Sequence, residues 1–95
     1  MDKTDILKKL KEFKTELYER YGVVRVGLFG SYANGTATSE SDIDLVIETE
    51  KRDFFLREEL REFLQINFNT AVDVGYLDSF REYYRKKIEN EIIYV

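Results

Sequence analysis

Two short apolar runs, joined by a polar connection that opens with Gly30-Ser31 and closes with Asp42-Ile43-Asp44, constrain this chain more than any other feature. The first run holds Val23, Val24, Val26, Leu28 and Phe29; the second holds Ile43, Leu45, Val46 and Ile47. Their length and β-branched content predict two buried strands. Between them Asn34 to Ser41 is an extended polar loop rich in Thr and Ser. Successive side chains in a strand point to opposite faces, so Asp42 and Asp44 are expected to share one face while Ile43 and Leu45 share the other. Carboxylates two residues apart on a strand lie about 6 to 7 Å from each other and repel unless a cation sits between them.

The residue types available narrow the chemistry further. The chain has no Cys and no His, which removes disulfides, thiol catalysis and imidazole bases. Oxygen ligands alone favour Mg²⁺ or Mn²⁺ over zinc or copper, and magnesium commonly joins one or two carboxylates to substrate phosphates. Gly30 lets the backbone approach a polyphosphate closely, and Ser31 adds a hydroxyl and an amide donor at an expected helix start. The Gly-Ser turn and the acidic pair therefore read as one site.

Gly30-Ser31, followed after ten residues by Asp42-Ile43-Asp44-Leu45-Val46, resembles the signature of the DNA polymerase β-like nucleotidyltransferase superfamily. Within it the chain resembles the minimal nucleotidyltransferases, the MNT-domain antitoxins, over nearly its whole length. The resemblance implies a third metal-binding aspartate in an apolar-Asp-apolar stretch, and Ala71-Val72-Asp73-Val74 fits it. Asp42, Asp44 and Asp73 are thereby implied as the catalytic and metal-binding residues, and Gly30 and Ser31 as the holders of the nucleotide phosphates. Family members commonly carry Arg where this chain has Asn34, which offers the nucleotide a neutral hydrogen bond instead. Tyr32 is expected to line the pocket or to pack.

The same resemblance implies two Mg²⁺ ions, ATP as substrate and transfer of AMP to a hydroxyl. It implies a HEPN-domain ribonuclease toxin as partner, modified on a tyrosine and held with this antitoxin in a hetero-oligomer. The alternative is a non-catalytic binding module that silences its partner by occlusion.

A chain of 95 residues, 43% of them hydrophobic, is expected to form one small domain over residues 1–95. Its formal net charge of −4 argues against nucleic acid as the main partner, since phosphate neutralisation needs clustered Lys and Arg. No stretch approaches the roughly 18 apolar residues of a membrane span, and Met-Asp-Lys-Thr-Asp lacks the apolar core of a leader, so a cytoplasmic protein without a membrane partner is expected.

Around the motif the pattern is helical. Ile6, Leu7, Leu10, Phe13 and Leu17 recur at helical spacing from Asp2 to about Tyr21, with Thr4 as the expected cap and Gly22 as the stop. Lys8, Lys9, Lys11 and Lys14 alternate with Glu12, Glu16 and Glu19, a solvated face. Glu48 to Arg52 reads as a charged turn. Asp53 is expected to cap a helix to about Phe68, with Phe54, Leu56, Leu60, Phe63, Leu64 and Ile66 turned inward. Thr70 to Tyr76 reads as a third strand carrying Asp73. The tail from Asp78 is expected to hold a helix capped by Ser79, with Phe80, Tyr83, Tyr84 and Ile88 inward, and Ile92 to Val95 as a last strand or a docking edge. The fold class is α+β: a mixed sheet of three to four strands with helices packed on it, as in the polymerase β-like nucleotidyltransferase core.

Overall fold

The computed structural model describes every residue from Met1 to Val95. Helix α1 (Lys3–Tyr21) buries Ile6, Leu10 and Leu17 and ends at Gly22, whose φ of 68° suits glycine and whose N–H reaches the Leu17 and Tyr18 carbonyls. Its N-cap is Asp2 rather than Thr4. The Asp2 carboxylate accepts the Asp5 N–H at 2.9 Å while the Asp5 carboxylate accepts the Asp2 N–H at 3.2 Å. This reciprocal pair satisfies two orphan donors at once, which a threonine inside the first turn does not.

Helix α3 (Phe54–Phe68) is capped by Asp53, whose Oδ1 accepts the Leu56 N–H at 3.1 Å. Asp53→Ala should therefore cost about 1 kcal/mol of unfolding free energy; an unchanged urea midpoint would show that the cap contributes nothing. Leu60, Leu64 and Phe68 are buried, but Phe54 and Ile66 are exposed. Ile66 lies two residues from both Leu64 and Phe68, which at 3.6 residues per turn puts it on the far side of the helix. Edge-to-face contacts of Phe13 with Phe63 and Phe68, at 5.5 and 6.2 Å between centroids, join α1 to α3.

The sheet comprises β1 (Val23–Phe29), β2 (Ile43–Thr49), β3 (Val72–Gly75) and β4 (Ile93–Tyr94), in the order β3-β2-β1-β4. It is mixed, as expected: β1 pairs antiparallel with β2 and β4, and β2 pairs parallel with β3. Strand β2 runs past the expected turn because Glu48 and Thr49 pair with Arg25 and Val23, whereas β3 is shorter than Thr70 to Tyr76.

Pairing sets the two faces. Val26 opposite Ile47, Leu28 opposite Leu45, and Ile43 opposite Val72 lie in the core with the apolar stripes of α1 and α3. Gly27, Phe29, Asp44, Val46, Asp73 and Gly75 alternate with them and point to the other face. There the Phe80 ring meets Phe29 at 5.8 Å, and Ile92 and Tyr94 occupy the space a side chain at Gly27 would need.

The C-terminal tail differs most from expectation. A 3₁₀ turn at Leu77–Ser79 precedes helix α4 (Glu82–Glu91), which has no side-chain cap, so Ser79 does not serve as one. Phe80 leaves the helix in an extended conformation to pack on the sheet. Within α4 Ile88 is buried at 6% exposure, while Tyr83 and Tyr84 in the first turn stand out at 78% and 56%, not inward. Ile92 to Val95 supplies β4, tied further by the Val95 N–H to the Val26 carbonyl at 3.1 Å. No helix is long and apolar enough to cross a membrane.

Candidate active site

Asp44 occupies the second position of β2, directly opposite Phe29 on β1 and Asp73 on β3. Cross-strand partners share a face, so the parallel pairing of β2 with β3 sets the carboxyl groups of Asp44 and Asp73 side by side. Asp42 stands one residue ahead of β2, exposed to solvent, at the same end of the sheet. Burial, followed by the charges of Asp73, Asp42 and Glu91, raises the Asp44 carboxyl from 3.8 to about 6. That is the effect expected of crowded carboxylates without a counter-ion. No three acidic groups form a ready-made cation cage. An open set of carboxylate oxygens suits a hard cation that keeps part of its shell for water and substrate phosphate, as magnesium does.

Gly30 follows β1 directly and is the N-cap of the one-turn helix α2 (Ser31–Asn34), with φ 76° and ψ −156°. A Cβ at this position would strike the Asp44 carboxylate. Gly30 is therefore required for two reasons: its left-handed φ, and the space Asp44 needs beside it. The Gly30 carbonyl accepts the N–H groups of Ala33 and Asn34, each at 3.0 Å. The amides of Ser31 and Tyr32, in the first turn, have no carbonyl of their own helix to meet. The Ser31 side chain is half-buried in the same turn.

Asn34 lies at the other end of α2 and is exposed. Its Oδ1 accepts the Thr36 N–H at 3.1 Å and the Thr36 hydroxyl at 2.6 Å, so its oxygen is engaged in the loop and only its amide NH₂ is free to donate. Tyr32 packs against the core and also borders a groove of about 490 Å³ with Met1, Lys3, Gly35 and Thr38.

One residue of the site escaped the sequence. Glu91, at the end of α4, places Oε1 3.1 Å from the Gly30 N–H and accepts its hydrogen bond across 61 residues of chain. In the sequence it is one acid among many in a charged helix. Its only distinguishing mark is its position just before the apolar Ile92 to Val95.

A mixed four-stranded sheet, with a Gly-Ser turn entering a short helix beside paired aspartates, defines a polymerase β-like nucleotidyltransferase core. Residues 10–95 match the family described as Nucleotidyltransferase domain, and the chain belongs to it and is a nucleotidyltransferase. The protein adenylyltransferase MntA of Thermococcus cleftensis is 36% identical over 87 residues, covering 90% of this chain and 88% of that protein. A solved structure provisionally named a minimal nucleotidyltransferase superposes with a TM-score of 0.79 at 31% identity, covering 98% of this chain and 95% of that one. A toxin-antitoxin structure with AMP-PNP shares the fold, with a TM-score of 0.71 at 24% identity over 99% of this chain and 72% of that one.

Proposed function

We propose that this chain is an antitoxin that transfers AMP from ATP to a hydroxyl, a tyrosine in our reading, of a HEPN-domain ribonuclease toxin. The observation that carries the reading is the register of Asp44 with Asp73 next to the Gly30-Ser31 turn, so that acids and phosphate donors share one end of the sheet. The similarity to a protein adenylyltransferase and the shared fold with a toxin-antitoxin structure support the choice of donor and partner.

In the reaction the acceptor oxygen attacks the α-phosphorus of ATP, the bond from that phosphorus to the bridging oxygen breaks, and pyrophosphate departs. The proton of the hydroxyl passes to Asp73, the exposed carboxylate of the strand pair. Asp42, Asp44 and Asp73 are the residues that would hold two Mg²⁺ ions, which would acidify the acceptor hydroxyl and offset the charge of the triphosphate. Asp44 sits against Gly30, so its carboxylate links the cation site to the phosphate turn. The Ser31 and Tyr32 amides and the Ser31 hydroxyl hold the β and γ phosphates, and the Asn34 NH₂ adds a neutral donor. The whole 1–95 chain acts as one catalytic domain.

Two tests follow from the roles assigned. Ser31→Ala keeps the amide and loses one hydroxyl contact, so ATP binding in Mg²⁺ should weaken by about 1 kcal/mol in calorimetry, not vanish. ATP labelled on its α-phosphate should leave label on the partner while ATP labelled on its γ-phosphate should not. Transfer of the γ label would make the chain a kinase and overturn the proposal.

A further inference from the structure

We propose that Glu91 is a positioning residue for the nucleotide site, holding the Gly30-Ser31 turn in its phosphate-binding conformation; this rests on the proposed function above. Gly30 adopts a backbone conformation that L side chains rarely take; glycine reaches it without strain but has many others open to it, so its neighbours select the one that forms the turn. On one side the Asp44 carboxylate fills the space beside its Cα. On the other, the Gly30 N–H donates to Glu91 Oε1 at 3.1 Å, in a partly buried setting.

Glu91 is itself well placed to hold still. The Ile92 N–H closes the end of α4 on the Ile88 carbonyl at 2.8 Å, and Ile88 is buried at 6% exposure. One residue after Glu91 and α4 the chain enters β4, with Ile93 opposite Leu28 and Tyr94 opposite Gly27 on β1, the strand that leads into Gly30. Ile92 packs directly over Gly27. The apolar C-terminus thus anchors one carboxylate against the turn that the nucleotide phosphates must meet. A charge-assisted hydrogen bond to a backbone amide is among the stronger kinds. It also explains why an acid is tolerated beside Asp44, Asp73 and Asp42: the Gly30 N–H compensates part of its charge.

The test compares Glu91→Ala with Glu91→Gln in the full chain, using AMP-PNP with Mg²⁺ in calorimetry and the Gly30 amide resonance in the free protein. Glutamine keeps an acceptor oxygen and removes the charge; alanine removes both. Glu91→Ala should weaken AMP-PNP binding by about tenfold and move the Gly30 amide resonance, whereas Glu91→Gln should stay within about threefold of wild type with that resonance nearly in place. Thermal unfolding of both variants confirms that each is folded. Glutamine behaving as badly as alanine would mean that charge rather than the hydrogen bond matters, and would overturn the proposal. Equal binding by all three proteins would overturn it as well. A wild-type protein that binds no AMP-PNP would instead strike the proposed function, leaving the Gly30 resonance to judge the clamp alone.

Discussion

Asp44→Asn should lower AMP transfer by about a hundredfold or more while making the metal-free protein more stable. Both effects come from the same crowding. Asp44 is half-buried between the Gly30 turn and Asp73, and its removal takes charge from the centre of the proposed cation site. In the folded protein without metal, burial and the neighbouring acids hold the Asp44 carboxyl at about 6 against an ordinary 3.8. The folded state therefore keeps a proton that the unfolded state releases, and stability from this group falls as pH rises from about 4 to about 6 and stays lower above that. The full gap corresponds to about 3 kcal/mol, but water still reaches the group, so about 1 to 2 kcal/mol is expected at neutral pH. In EDTA, the melting temperature of Asp44→Asn should exceed that of wild type by a margin that widens from pH 4 to pH 6. A margin that is flat across this range would mean that Asp44 is not held in a crowded, desolvated position.

Gly30→Val should be the most damaging single change to nucleotide binding, with loss of measurable AMP-PNP affinity. Three consequences coincide at this position: a branched residue is forced into a left-handed φ, its Cβ meets the Asp44 carboxylate, and the turn presenting the Ser31 amide must move. Because the strain is confined to one turn at the end of β1, the chain should still fold, with a reduced melting temperature. Calorimetry and circular dichroism together check this. A folded Gly30→Val protein with wild-type affinity would place the nucleotide elsewhere, for instance along the groove bordered by Tyr32 and Lys3.

The legible parts of this chain were those written in local chemistry. The stripe Ile6, Leu10 and Leu17, the Asp53 cap, the Gly22 stop and the alternation through Ile43, Asp44 and Leu45 each depend on neighbours a few residues away, and each appears where the sequence puts it. The four-stranded mixed sheet falls within the expected class. Strand order was not readable, because the pairing of β4 with β1 and of β2 with β3 is decided by long-range packing. The same reason hid Glu91, whose partner lies on another element. Tyr83 and Tyr84 read as core because aromatic rings in a helix are usually buried, yet both stand exposed in the first turn of α4 while Ile88, one turn on, is buried. Asn34 was legible as a position and not as a contact, since its oxygen is taken by Thr36 two residues on.

The proposed activity is covalent neutralisation of a toxin partner. The measurement that addresses it most directly is the intact mass of the purified toxin after incubation with this protein, ATP and Mg²⁺, followed by removal of the protein and an assay of toxin activity. The toxin should gain the mass of one or more AMP units and stay inactive once alone, and it should do neither when Asp44→Asn replaces wild type. A toxin of unchanged mass, inhibited only while this protein is bound and equally well in EDTA, would contradict transfer and leave occlusion as the mechanism.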